Sequence, residues 1–161
     1  MDFTLSAKTS EYAAKLQRFM EEEIFPAEAV YEHQRAELKA AGKPHGLPPI
    51  VEELKAKAKE QGLWTLFLPH SHNPHHGLSV TEYATLAEIT GWSPELAPEA
   101  TNCAAPDTGN MELLDMFGTD AQKKQWLEPL LLCRISSKHV EQLHVAGIWR
   151  GTICCLRCKF R

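Results

Sequence analysis

Tyr12, Leu16, Phe19, Met20 and Ile24 recur at i, i+4, i+7, i+8 and i+12. That spacing lays five large apolar side chains along one stripe of a 3.6-residue period, the signature of an amphipathic helix. Lys15, Arg18, Glu21 and Glu22 fall off the stripe and read as its wet side. Thr9 or Ser10 can cap the start of this helix. Pro26 lacks a backbone donor, so the pattern predicts a kink or a restart there. Residues 27–41 are again helix-prone and run into Gly42-Lys43-Pro44-His45-Gly46, a loop signature.

The same punctuation continues down the chain. Pro48 and Pro49 can open a helix, where a missing N–H costs little. Ile50, Leu54 and Ala58 read as its inner face, with Lys55, Lys57, Lys59 and Glu60 outside, and Gly62 suits the position just past its end. Residues 63–68 form a short apolar run, either a buried turn or a short extended piece. Residues 69–78 are a loop rich in His, Pro and Gly. Ser79-Val80-Thr81-Glu82 then matches a capping box, in which the Ser side chain accepts from the N3 amide and the Glu side chain accepts from the cap amide. Tyr83, Leu86, Ala87 and Thr90 share one face of the helix that follows. Residues 99–105 predict a short helix, interrupted by Pro106-Asp107-Thr108-Gly109, and residues 111–117 an apolar one. Thr119-Asp120-Ala121-Gln122 is a second capping box. There is no internal repeat. The expectation is an all-α bundle of five to six helices with short loops.

With 161 residues and 43% apolar content the chain can bury a real core. The net charge of −4 gives no reason to expect nucleic acid or an anionic membrane as partner. That average hides a split. Residues 1–132 carry 11 Lys+Arg against 20 Asp+Glu, whereas residues 133–161 carry 6 Lys+Arg against Glu141 alone. Four of the five cysteines, Cys133, Cys154, Cys155 and Cys158, fall in that last stretch. A charge reversal and a cysteine surge at one boundary predict two segments, 1–132 and a basic, Cys-rich tail at 133–161. No apolar stretch reaches membrane-spanning length, and Met1-Asp2-Phe3-Thr4 does not read as a secretory signal. The expected setting is soluble and intracellular: cytoplasmic in a bacterium, mitochondrial or peroxisomal in a eukaryote.

Three motifs in order carry a resemblance. Gln61-Gly62-Leu63-Trp64 with Leu66-Phe67-Leu68-Pro69 comes first, and Gly77-Leu78-Ser79 with Tyr83 and Glu88 second. The third is Phe117-Gly118-Thr119-Asp120-Ala121-Gln122-Lys123-Lys124-Gln125-Trp126-Leu127-Glu128-Pro129-Leu130-Leu131. Together they resemble the N-terminal helical domain of the acyl-CoA dehydrogenase family. Residues 102–112 look most like the branch that includes family members ten and eleven. The resemblance implies an enzyme of three domains, helical, β and helical again, that oxidises the Cα–Cβ bond of an acyl-CoA thioester. It also implies a glutamate base, FAD as hydride acceptor, acyl-CoA as substrate and a homo-oligomer. After Leu131 the family pattern is lost, and the β-domain, the base and most flavin contacts have no counterpart in 132–161. The expectation is therefore a helical domain cut off before the catalytic parts, followed by a non-family tail, and inactive as a dehydrogenase by itself. No catalytic residue is expected in this chain.

By the same resemblance Asn102, Ala105, Pro106 and Gly109 would line the acyl pocket, where small residues and a helix break suit a ligand passing close to backbone. The alternative for that segment is an ordinary interhelical turn. His70, His72, His75 and His76 could in principle bind a metal, but Pro74 interrupts them and no Cys or carboxylate lies among them, so a solvated loop is expected. Cys155-Leu156-Arg157-Cys158 is a lone CxxC without a second clean pair for zinc or a βαβ setting for redox work, and an incidental tail is expected. Cys103 has no His within 25 residues in sequence and reads as an inert, buried thiol. Two further function classes stay open: a non-catalytic helical interaction module, and a small metal-binding protein using the four histidines or the tail cysteines.

Overall fold

The apolar stripe of residues 12–24 is helical throughout in the computed structural model, which describes residues 4–68 and 78–133. Helix α1 is Ala7–Phe19, and it passes through a π-helical turn, Met20–Ile24, directly into α2, Phe25–Ala40. Leu16, Phe19, Met20 and Ile24 are all buried. The N-cap is Ser6, earlier than Thr9 or Ser10: its backbone is extended and its Oγ accepts from the Thr9 amide at 3.1 Å. Thr9 instead sits one turn inside the helix and is fully buried.

The helix does not restart at Pro26. Proline in a helix removes one bond and presses on the carbonyl four residues back. The π turn placed just before it lets the Phe25 amide reach back to the Met20 carbonyl, and this wider turn takes up the misfit. The same arrangement recurs later. Helix α7, Asp120–Gln122, runs through a second π turn, Lys123–Leu127, into α8, Glu128–Leu131, with Pro129 in its first turn.

Helix α3 is Pro49–Glu60, and its first amides are met from outside, since the Ile50 amide donates to Gln34 Oε1 of α2 at 2.9 Å. Val51, Leu54 and Ala58 form its buried face. Lys55, which sequence alone assigns to the wet side, is 4% exposed. Its Nζ donates to Glu99 Oε1 at 2.8 Å and lies 3.6 Å from Glu52 Oε1, so two carboxylates draw it inward. Gly62, at φ +70°, takes the left-handed position that ends the helix. Residues 63–68 form the buried turn, not the extended piece.

Helix α4, Val80–Thr90, opens on the complete Ser79–Glu82 capping box and buries Leu86 and Thr90. Helix α5 is only Ala97–Ala100. Helix α6 is Asp107–Phe117, so the segment 106–109 starts a helix instead of interrupting one. Asp107 favours this, as an acidic side chain in the first turn opposes the positive end of the helix dipole. The second capping box, Thr119–Gln122, is complete as well.

The chain divides into two compact units, Met1–Thr108 and Gly109–Arg161. In the first, α1 packs on α4, and α3 packs on both α2 and α5 around Leu16, Phe19, Ile24, Leu54 and Leu86. Surface ion pairs, Lys57–Glu23 and Arg35–Glu95, connect its elements. Both are solvated and each contributes at most about 1 kcal/mol. In the second unit Met111, Leu114, Leu127 and Leu130 are buried. The described residues form six continuous helical runs and no strand, as the all-α reading expects. No helix among them is long and apolar enough to cross a membrane.

Candidate functional site

The segment that follows α5 is held by backbone more than by side chains. Thr101, the residue after α5, donates from Oγ1 to the Ala97 carbonyl at 2.9 Å and so closes the end of that helix. The Thr101 carbonyl accepts twice, from the Thr65 amide at 3.0 Å and from Cys103 Sγ at 3.4 Å. On either side of that junction stand two residues with left-handed backbone, Thr65 at φ +54° and Asn102 at φ +55°. Asn tolerates this region, whereas a β-branched Thr there is an outlier. Such conformations cost on the order of 1–3 kcal/mol each and persist only where the surroundings over-determine them. Here the shared hydrogen bond between the 61–68 turn and the α5–α6 loop fixes both.

Of the residues singled out from sequence, Asn102 is buried, while Ala105 and Pro106 are exposed on the same loop and joined by a cis peptide. Gly109 belongs to the second unit. It lies in the first turn of α6, exposed, with open space where a Cβ would stand. The helix break that the pattern predicts at 106–109 therefore falls earlier, at 101–106.

Sequence reasoning missed what surrounds this loop. Tyr83 of α4 meets Phe67 edge-on, with ring centroids 6.4 Å apart. Lys59 Nζ stands 4.1 Å over the Trp64 ring. Burial pushes the Cys103 thiol above the ordinary thiol value, and its hydrogen bond is to the Thr101 carbonyl. It stays protonated at neutral pH, in keeping with an inert core thiol. The Ser79–Glu82 box signals Tyr83 as helical, but nothing in residues 63–68 signals a left-handed Thr65.

Among the described residues no group of three or more His, Cys, Asp or Glu could hold a metal ion. His70, His72, His75 and His76 lie outside the described residues, as do Cys154, Cys155 and Cys158. FAD, which the resemblance implies, presents a pyrophosphate that needs cations or free amides. Lys55, the buried cation of the first unit, is already committed to Glu99 and Glu52.

A model of the family "Acyl-CoA dehydrogenase, N-terminal domain" matches residues 6–132. "Probable acyl-CoA dehydrogenase FadE2" of Mycobacterium tuberculosis is 57% identical over 138 residues, covering 85% of this chain and 32% of that protein. Acyl-CoA dehydrogenase family member 11 of Mus musculus is 44% identical over 135 residues, covering 84% of this chain and 17% of its own length. A solved structure described as an acyl-CoA dehydrogenase of Mycobacterium abscessus superposes with a TM-score of 0.73 at 42% identity, covering 82% of this chain and 33% of that one. The chain thus spans a third or less of each of these relatives.

Proposed function

Because this chain belongs to the acyl-CoA dehydrogenase family through its N-terminal domain, we propose that its first unit supplies one wall of an acyl-CoA pocket and that the loop at 101–106 is the part that meets the acyl group. The observation that carries this is the pairing of a buried Asn102, fixed at φ +55°, with the small exposed surface of Ala105 and Pro106 beside it. A rigid anchor next to small side chains lets a long thin ligand approach the backbone without displacing it. The resemblance also names Gly109, which belongs to the second unit and is not used for this wall.

The reaction belongs to the complete protein: oxidation of the acyl-CoA Cα–Cβ bond in a homo-oligomer, with bound FAD supplying the hydride acceptor. The contribution of residues 1–132 is to bind and orient the acyl chain. Residues 133–161, basic and Cys-rich in sequence, are assigned no part in it. Amide spectra of the labelled 161-residue chain, titrated with a medium-chain acyl-CoA and with free CoA, test the binding. Shifts confined to residues 101–109 and seen only with the acylated form are the expected result. Shifts elsewhere, or identical shifts with free CoA, refute the pocket. The isolated chain supplied with FAD, acyl-CoA and an artificial electron acceptor is expected to give no turnover, and FAD-dependent turnover would overturn that part.

A second reading is a non-catalytic helical interaction module. Met116 and Phe117, side by side at the end of α6, are 69% and 67% exposed, and large exposed apolar side chains mark association surfaces when they cluster. Self-association in analytical ultracentrifugation, abolished by Met116→Ser with Phe117→Ser, would favour it. The metal-binding alternative rests on residues outside the described set, and elemental analysis for zinc decides it.

A further inference from the structure

Lys55 and Lys59 stand one turn apart on α3, so they share a face of that helix. Their charged ends reach different segments. Lys55 Nζ donates to Glu99 Oε1 of α5 at 2.8 Å. Lys59 Nζ stands 4.1 Å over the ring of Trp64, in the turn that follows α3. Those two segments meet each other just beyond the points where they are gripped. Trp64 precedes Thr65, whose amide donates to the Thr101 carbonyl at 3.0 Å. Glu99 lies two residues before Thr101, and its carbonyl accepts from the Asn102 amide at 3.3 Å. The left-handed residues Thr65 and Asn102 thus each lie within three residues of a group that a lysine of α3 holds.

Burying an ammonium group is costly unless it is paired, and an apolar side chain at the same place would fill the space without that cost. Lys55 stands on the buried face of α3 beside Val51, Leu54 and Ala58, which are apolar. What its charge adds is direction: a charged hydrogen bond fixes Glu99 at one point along α3. Left-handed backbone at non-glycine residues persists only where its surroundings over-determine it. We propose that Lys55 and Lys59 are positioning residues, a two-point clamp that sets the register at which Thr65 meets Thr101 and so holds Asn102 in place for the acyl group. This rests on the reading of 101–106 as the acyl-facing loop. Lys57, between the two on the sequence, pairs with Glu23 before α2 instead and has no part in the clamp.

Residue-resolved hydrogen exchange on the full 161-residue chain, without ligand, tests the clamp. Lys55→Met keeps the length of the side chain and removes its charge. It is expected to speed exchange of the Thr65 amide about tenfold, the loss of one hydrogen bond to a charged group. Lys59→Gln, at an exposed position, should speed it about threefold, and Lys59→Arg, which keeps a cation over the ring, should restore the wild-type rate. The Leu86 amide in α4 reports global opening and should not move with them. Lys57→Met removes an ion pair of the same helix and should leave Thr65 unchanged. An unchanged Thr65 rate in Lys55→Met and Lys59→Gln overturns the clamp, as does an equal rise at Leu86 or the same rise in Lys57→Met. If Lys55→Met fails to fold, Lys59→Gln decides alone. Titration with octanoyl-CoA then tests the link to the ligand: the shifts at 101–106 should need about threefold more ligand in Lys59→Gln than in the wild type. Undiminished binding despite faster Thr65 exchange overturns the positioning role. Absence of those shifts in the wild type refutes the acyl reading instead, while the exchange data still uphold or sink the clamp.

Discussion

The two capping boxes of this chain use one local design and reach different ends. In the first, the Ser79 amide donates to Glu82 at 2.8 Å and the Glu82 amide donates back at 3.2 Å. In the second, the Thr119 amide donates to Gln122 at 2.8 Å and the Gln122 amide donates back at 3.3 Å. The local geometry is nearly the same. The difference lies in the remaining atom of the N3 side chain. Glu82 has a second oxygen, and it binds Ser6 and Thr9 of another helix. Gln122 has an NH₂ there, and its box is exposed. A capping motif fixes how a helix begins; a spare acceptor decides whether that beginning is wired into the rest of the fold.

Burial behind the boxes should give the largest contrast. Leu86 is fully buried on α4, whereas α7 buries no residue. Leu86→Ala is expected to cost about 2–5 kcal/mol in denaturant unfolding, the range for a core cavity. A cost under ~1 kcal/mol would mean that α4 is not integral to the core. Ser79→Ala comes next, at about 1–2 kcal/mol, since it strips both the local cap and a donor to the shared carboxylate. Thr119→Ala should cost only about 0.5 kcal/mol, as befits an exposed cap. Equal melting-temperature shifts for the two Ala variants would erase the comparison.

Acid should separate the boxes by titration. The Ser79 amide, then the Ser6, Ser79 and Thr9 hydroxyls, hold the Glu82 carboxyl down from 4.5 to about 2. Its contribution is therefore complete above pH 4.5 and fades as the pH falls from 4.5 toward 2. Protection of α1 amides in hydrogen exchange should weaken across that window in the wild type, and Glu82→Gln should flatten the dependence. Gln122 does not titrate, so the start of α7 should show no counterpart. A Glu82→Gln chain with the wild-type acid profile would show that another group is responsible.

What could be read from sequence was what depends on neighbours in sequence. The stripe from Tyr12 to Ile24, both boxes and Gly62 as a helix stop are local patterns, and each stands where expected. The family was legible because three such patterns keep their order through residues 61–131. Two of the misassignments have a distant cause. Lys55 turns inward because Glu99 waits 44 residues on. The cap moves to Ser6, whose hydroxyl finds Glu82, a residue of another helix. Of the candidate site, the loop after α5 was visible as a cluster of small and helix-breaking residues. Its tie to Thr65 was not, because a backbone bond leaves no mark on residue identity.

The paired π turn and proline have a consequence for how such a chain can change length. Met20–Ile24 precedes Phe25-Pro26, and Lys123–Leu127 precedes Glu128-Pro129. A wide turn is where a helix stores one residue more than its pitch needs. Deleting a residue inside either turn, a change that most helix surfaces would merely rotate past, would tighten the coil and drive the proline ring onto the carbonyl four residues before it. Losing the surplus residue while the proline stays would therefore cost more than losing both. At both places the length of the helix and the identity of a single side chain form one inheritable unit.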